Sequence, residues 1–100
     1  QTKQKVWIII GMLNNKNLND FVKILQPITE GVVAVTIPKE KNSFTSDEIF
    51  NVCKTLNIIC YKKTNIKLAN QFLKKTIKPK LILVTGSLYL IGSIRDTNYK

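Results

Sequence analysis

Residues 85–87, Thr-Gly-Ser, have the types and the spacing that could bind an anion. They follow an apolar run and precede a helical pattern, so they form a turn from a strand into a helix. Gly86 permits a tight turn and the close approach of a ligand, and the Ser87 hydroxyl lies beside the free N–H groups of the helix start. This turn is therefore a candidate binding site for a carboxylate or a phosphate. The alternative is that Ser87 only caps its own helix.

A second candidate is Lys16, which lies between Asn15 and Asn17 in the turn after another apolar run that stops at Gly11. In an open parallel sheet, ligands bind beyond the carboxyl ends of the strands. A lysine in this turn can reach over the edge of the sheet and hold an anion. The alternative is one more solvated lysine in a lysine-rich chain.

The chain lacks the groups on which most catalytic mechanisms depend. It has no histidine, and none of its four glycines falls in a phosphate-binding loop or a dinucleotide-binding fingerprint. Its six acidic residues form no evident catalytic pair at a strand end. From its own residues the chain is predicted to be a binding half rather than a catalyst, with no catalytic residue and no metal ligand.

The two cysteines, Cys53 and Cys60, have a spacing that does not fit a metal site, and two ligands are too few for zinc. We expect two buried free thiols in a reducing compartment. The alternative is a disulfide, which would have to link a helix to a strand.

Four apolar runs predict the strands that must position these residues. They are continuous rather than alternating, which is typical of parallel strands buried on both faces. They occupy residues 6–10, 32–37, 58–61 and 81–84. Gly31 is interpreted as the boundary before the second run, and residues 38–44 as a polar, mobile loop.

Apolar residues at helical spacing lie between and after these runs. Asn17 is predicted to cap the first helix, and Thr45 and Glu48 to form a capping box on the second. The third helix is expected to begin near Thr64 or Asn65 and to be closed by Pro79. The fourth runs from Ser87 to about Arg95. Strict alternation of strands and helices predicts an α/β fold with a parallel sheet flanked by helices.

Length and charge restrict the class of protein. One hundred residues suffice for a single domain, residues 1–100, and no apolar stretch is long enough to cross a bilayer. We expect a cytoplasmic protein, and the missing initiator Met suggests a piece of a longer chain. The net charge of +10 invites a nucleic-acid interpretation. However, 15 of the 16 basic residues are scattered lysines, whereas proteins that recognise the phosphates and bases of nucleic acids use arginine heavily.

Three segments resemble the C-terminal domain of folylpolyglutamate synthases and bifunctional dihydrofolate synthases, which belong to the Mur-ligase-like superfamily. Residues 6–16, V-W-I-I-I-G-M-L-N-N-K, look like its apolar strand and x-x-Lys turn. Residues 81–92, L-I-L-V-T-G-S-L-Y-L-I-G, look like its last strand and Gly-Ser helix start, and residues 43–56 are similar to the helix after a variable loop. The resemblance implies a Rossmann-like, mainly parallel sheet.

The resemblance also implies an activity. These enzymes join L-glutamate to dihydropteroate or to a folate such as tetrahydrofolate, through an acyl phosphate, and release ADP. In these enzymes, ATP and Mg²⁺ are bound mainly by a P-loop domain that precedes this domain in the same chain. The resemblance implies that Lys16, Gly86 and Ser87 hold the carboxylate of the incoming glutamate, in a monomeric enzyme with no membrane partner. The isolated piece is expected to be inactive.

Two departures from the family pattern accompany this resemblance. The family turn reads Asp-Lys-Asp, whereas here it is Asn15-Lys16-Asn17. The Asp-Gly-Ala-His-Asn-Pro segment that normally opens the domain is missing, so its first strand is expected to be missing too. Two other functions stay open: a peptidoglycan-precursor ligase of the same superfamily, and a small basic α/β module that binds nucleic acid.

Overall fold

Strands and helices alternate along the chain. The computed structural model describes residues 5–15 and 17–85. The strands are β1 Val6–Ile10, β2 Thr29–Ala34, β3 Cys60–Lys62 and β4 Ile82–Thr85. The helices are α1 Leu18–Leu25, α2 Ser46–Thr55 and α3 Ile66–Phe72. The predicted order of these elements is confirmed, and the fourth helix, predicted from Ser87 to Arg95, lies outside the described residues.

The four described strands form one parallel sheet in the order β3-β2-β1-β4. Ile8 of β1 lies opposite Val32 of β2 on one side and Leu83 of β4 on the other. The chain therefore builds the sheet outward from β1 to β3 and then crosses back to place β4 on the free side of β1. The predicted parallel α/β sheet is confirmed for these residues.

Strand β1 is buried on both faces because helices cover both sides of the sheet. Ile8 and Ile10 pack with residues of α1 and α2 on one face. Trp7 and Ile9 pack with α3 on the other face. All four side chains are at most 4% exposed. This arrangement explains why the run is apolar without alternation.

The two outer strands are less buried than the predicted pattern implies. No residue of β3 or β4 is buried, and Tyr61 and Leu83 are each 41% exposed. The prediction of burial on both faces is therefore wrong for these two strands. Each has a neighbouring strand on one side only among the described residues, so its other edge is not covered by a described strand.

The second strand begins three residues earlier than predicted, at Thr29 rather than residue 32. Gly31 lies inside it, opposite Trp7 of β1, and is not the boundary that the sequence suggested. A Cβ added at Gly31 would lie 2.4–2.8 Å from atoms of the Trp7 indole ring. Glycine is therefore required here because the indole packs directly on the backbone of the neighbouring strand.

The predicted helix starts are confirmed. The Asn17 side chain accepts a hydrogen bond from the Asp20 N–H at 3.0 Å, and Asn65 caps α3 by accepting from Leu68. Thr45 and Glu48 form the reciprocal capping box of α2. After α3 the chain continues through a π-helical turn, Leu73–Ile77, which ends at Lys78 in the left-handed conformation, directly before Pro79.

Candidate functional site

The carboxyl ends of β1 and β4 meet where the order of the strands reverses. Ile10 lies opposite Thr85, and the Gly11 N–H donates a hydrogen bond to the Thr85 carbonyl oxygen at 3.4 Å. The chain leaves β1 toward β2 on one side, while β4 lies on the other side. Such a reversal is the position at which open α/β sheets bind ligands. The geometry thus marks this edge of the sheet, here called the carboxyl edge, as the candidate site.

The three residues predicted to bind the ligand, Lys16, Gly86 and Ser87, lie outside the described residues. Their described neighbours do lie at the carboxyl edge. Asn15 and Asn17 flank position 16 in the turn after β1, and Thr85 ends β4 directly before position 86. The two predicted segments, more than sixty residues apart in the chain, therefore leave the sheet from adjacent strands.

The turn after β1 is held by the loop that precedes α2. The Asn14 N–H donates to the Asn42 carbonyl oxygen at 2.8 Å, and the Phe44 N–H donates to the Met12 carbonyl oxygen at 2.9 Å. Ser43 bridges Leu13 between these two bonds. The loop expected to be polar and mobile is polar, and its second half is fastened to the candidate site. The sequence reasoning missed this contact, which no local pattern signals.

Asn17 has a structural role that bears on the departure from the Asp-Lys-Asp pattern. Its side-chain oxygen accepts from the Asp20 N–H and so begins α1. Asparagine and aspartate are about equally good at this position of a helix. Asn17 therefore starts α1 about as well as the aspartate of the Asp-Lys-Asp pattern would.

The amino ends of the described helices also lie at the carboxyl edge. At each of these ends, however, a side chain of the chain itself already accepts a hydrogen bond from a free backbone N–H group. In α2 the Thr45 hydroxyl accepts from the Glu48 N–H at 3.1 Å, and the Glu48 carboxylate accepts from the Thr45 N–H at 2.8 Å. The Ser46 N–H donates to the Thr36 hydroxyl at 2.9 Å. In residues 5–15 and 17–85, each helix start thus carries its own cap, and two of the three carry acids in the first turn.

Lysines near β3 and α2 are engaged by neighbouring groups. Lys62 forms an ion pair with Asp47, with an Nζ–Oδ1 distance of 2.8 Å, and its Nζ lies 5.0 Å from the centre of the Phe50 ring. Lys63 lies 4.3 Å from the centre of the Phe72 ring. These two lysines belong to the packing around the outer strand rather than to the candidate site.

Two open depressions lie at the opposite, amino edge of the sheet, and each measures about 330–340 Å³. Lys5 and Glu30 line both of them. Gln26, Asn57 and Ile59 help line one, whereas Trp7, Lys78 and Lys80 help line the other. They surround strand beginnings, whereas open parallel sheets bind ligands beyond the carboxyl ends of the strands, where the helices start. We therefore place the candidate site at the carboxyl edge despite these depressions.

The two cysteines are free thiols, as predicted, and Cys53 is buried. The prediction that both are buried is wrong for Cys60, which is partly exposed because it begins the outer strand β3. The structure brings them close enough for each thiol to affect the ionisation of the other. The neighbouring Cys60 thiol lowers the pKa of Cys53, against the opposing effect of burial, whereas Cys53 and burial both raise the pKa of Cys60. The sequence contains one signal of this proximity. Only six residues separate Cys53 on α2 from Cys60 at the start of the next strand.

The described part of the chain shows no group of three or more cysteine, aspartate or glutamate side chains placed to hold a metal ion. Within the same residues, no helix has the length and apolar character needed to cross a membrane.

Comparison of the chain with protein-family models, with curated proteins and with solved structures found no match.

Proposed function

We propose that this chain is the C-terminal part of an ATP-dependent ligase that joins L-glutamate to dihydropteroate or to a folate through an acyl phosphate. In this proposal the fold is the Rossmann-like C-terminal domain of the Mur-ligase type without its first strand. Its task is to hold the incoming glutamate. The chain would act in the cytoplasm as part of a monomeric enzyme.

The observation that carries the proposal is the contact between the ends of β1 and β4. The segments that most resemble the ligases, residues 6–16 and 81–92, are far apart in sequence. In the sheet they contain adjacent strands, and Ile10 lies opposite Thr85. A lysine after one strand and a glycine-serine turn after the other could then face a single ligand.

The chemistry of these groups suits a carboxylate. A lysine ammonium forms charge-assisted hydrogen bonds with a carboxylate, which are stronger than those between neutral groups. A helix start adds N–H donors and a favourable dipole. The described helix starts are already capped by their own side chains. This favours the turn after β4, with Ser87, as the place where a ligand is held.

ATP and Mg²⁺ enter the proposal through a neighbouring domain. No phosphate-binding loop occurs in the chain, and the described residues offer no cluster of acidic ligands. The N-terminal P-loop domain of the same protein would bind the nucleotide and the metal. When bound, they supply the activation of the acceptor carboxylate as an acyl phosphate. The role of residues 16, 86 and 87 is to orient the glutamate that attacks it.

The test uses the complete gene product that contains this chain, assayed for glutamate-dependent ADP release with dihydropteroate or tetrahydrofolate as acceptor. We expect Lys16→Ala and Ser87→Ala to raise the KM for glutamate by about ten- to a hundredfold, since a hydrogen bond to a charged group contributes roughly 1.5–3 kcal/mol. The KM for ATP should change far less. Lys23→Ala, which removes an exposed lysine at the other end of α1, is the matched control.

Two outcomes would overturn the proposal. An unchanged glutamate KM in both variants would remove these residues from the glutamate site. Absence of turnover with any folate acceptor, together with turnover of a nucleotide-linked muramyl peptide, would assign the protein to the peptidoglycan-precursor ligases instead.

A further inference from the structure

The Cys53–Cys60 pair lies where α2 ends and β3 begins. Cys53 is in the last turn of α2, and its side chain is 0% exposed. Cys60 is the first residue of β3 and lies opposite Val32 of β2. Val32 and Cys53 belong to the same buried cluster, and Cys60 packs against that cluster. The register of the sheet and the packing of α2 therefore direct both sulfur atoms into the same layer.

The connection between the two cysteines is short and held by backbone hydrogen bonds. Asn57 has a left-handed conformation, with φ 60°, which turns the chain at the end of the helix. The Ile58 N–H donates to the Cys53 carbonyl oxygen at 2.8 Å, and the Asn57 N–H donates to the Lys54 carbonyl oxygen at 3.1 Å. This pair of bonds is the Schellman arrangement that closes many helices. It fixes the position of Cys60 relative to Cys53.

The two thiols are neighbours that differ in access. Cys60 is partly exposed, its sulfur lies 3.6 Å from the Tyr61 carbonyl oxygen, and it packs against the cluster that contains the buried Cys53. Each thiol affects the other, so that the pKa of Cys53 is lowered and that of Cys60 is raised. An outside reagent can therefore reach Cys60 first. Cys53 would be the nucleophile that completes the exchange.

We infer that Cys53 and Cys60 form a dithiol site that low-molecular-weight disulfides convert into an intramolecular disulfide. This inference does not depend on the proposed ligase function. The bond would tie the end of α2 to the outer strand β3. It would make this junction a modification site that responds to the thiol–disulfide balance around the protein.

The exchange balances without any further reagent. With Cys53 ionised, the Cys60 thiol passes its proton to the Cys53 sulfur as its own sulfur attacks one sulfur of the small disulfide RSSR. The S–S bond of RSSR breaks, a mixed disulfide forms on Cys60, and the expelled RS⁻ takes a proton from water and leaves as RSH. Cys53 then loses its proton to solvent, attacks the Cys60 sulfur and expels the second thiol, also released as RSH. Counted from two thiols, the protein loses two protons and two electrons, and the small disulfide is reduced to two thiols.

The experiment treats the native complete protein with oxidised glutathione, blocks remaining thiols and digests it with trypsin without reduction. Trypsin cleaves after Lys54, so the two cysteines fall into separate peptides, residues 42–54 and 55–62. We expect these peptides to be recovered joined, with a mass about 2 Da below their sum. A reductant should separate them.

Two variants identify the order of events. The Cys53→Ala variant keeps a small side chain at this buried position. Its Cys60 should retain a stable glutathione adduct, because no neighbouring thiol can displace the glutathione. In Cys60→Ser the buried Cys53 should stay unmodified. The oxidised wild-type protein should unfold at a higher temperature than the reduced protein, because the cross-link restricts the unfolded chain.

Other outcomes contradict the inference. A stable glutathione adduct on the wild-type protein would show that Cys53 cannot reach Cys60. A lower unfolding temperature after oxidation would show that the bond forms only at the expense of the native packing. Cross-linking to another chain through Cys60 would show an exposed thiol without a partner.

Discussion

The central strands β1 and β2 and the outer strands β3 and β4 differ in what surrounds them. Four of the five residues of β1 and five of the six residues of β2 are buried. No residue of β3 or β4 is buried. The residues that could do chemistry lie at strand ends: Cys60 begins β3, Lys16 follows β1, and the Gly-Ser turn follows β4. The difference indicates that the middle of the central strands provides stability, whereas the candidate functions belong to the strand ends and to the less buried outer strands.

The largest expected effect comes from opening a cavity in the centre. Ile9 is 0% exposed and packs between Val33 and the α3 side of the core. Ile9→Ala should lower the free energy of unfolding by about 2–5 kcal/mol, as measured by urea denaturation. The matched change on the outer strand, Leu83→Ala, should cost less than about 1 kcal/mol because Leu83 is 41% exposed. Equal losses of the free energy of unfolding in the two variants would contradict the difference between the central and the outer strands.

The next effect concerns the contact between the two central strands. Gly31→Ala should lower the free energy of unfolding by about 1–3 kcal/mol, because the new methyl group would overlap the Trp7 ring. In a Trp7→Leu background the same change should cost clearly less, since the smaller side chain leaves room. A double-mutant cycle measures this coupling. Additive losses would mean that the indole does not require glycine at position 31.

Local signals in the sequence predicted the helix starts correctly and the strand limits less well. The Thr45–Glu48 capping box depends only on residues three apart, so it could be recognised without the fold. The position of Gly31 inside β2 could not, because the reason for it is the ring of Trp7 on another strand. Tertiary contacts of this kind are invisible to a pattern that considers one segment at a time.

The sheet order and the candidate site show the same limit. Alternating elements predicted a parallel sheet, but only the structure shows that β4 lies beside β1. That adjacency is what brings the turn after β1 next to the end of β4. The three predicted ligand residues, Lys16, Gly86 and Ser87, lie outside the described residues, so their assignment stays a prediction. The proximity of Cys53 and Cys60 also required the fold.

A smaller effect is expected where α2 begins, beside the central strands. Thr45→Ala removes the hydroxyl that accepts from the Glu48 N–H, and it should cost about 0.5–2 kcal/mol of the free energy of unfolding. Thr55→Ala is the control, because that hydroxyl donates only to the Asn51 carbonyl oxygen within the same helix. Thermal or urea unfolding distinguishes the two. If Thr55→Ala lowered the free energy of unfolding as much as Thr45→Ala, the capping box would have no special role in stability.

The smallest effect is expected on the outer strand β3. Lys62 and Asp47 form an ion pair at 2.8 Å, but their side chains are 46% and 73% exposed. Exposed pairs contribute about 0–1 kcal/mol and are screened by salt. Lys62→Ala should therefore change the free energy of unfolding by no more than about 0.5 kcal/mol once salt is raised. A loss as large as that of Ile9→Ala would place β3 among the elements that determine stability.

The central claim is that the ligand binds at the carboxyl edge, between the ends of β1 and β4. It is tested most directly by titrating the isotope-labelled complete protein with L-glutamate in the presence of ATP and Mg²⁺, and by mapping amide chemical-shift changes. Our account predicts that the largest changes within the described residues occur at Gly11, Asn14 and Thr85. Changes concentrated at Glu30 and Ile59, beside the depressions of the amino edge, would contradict it.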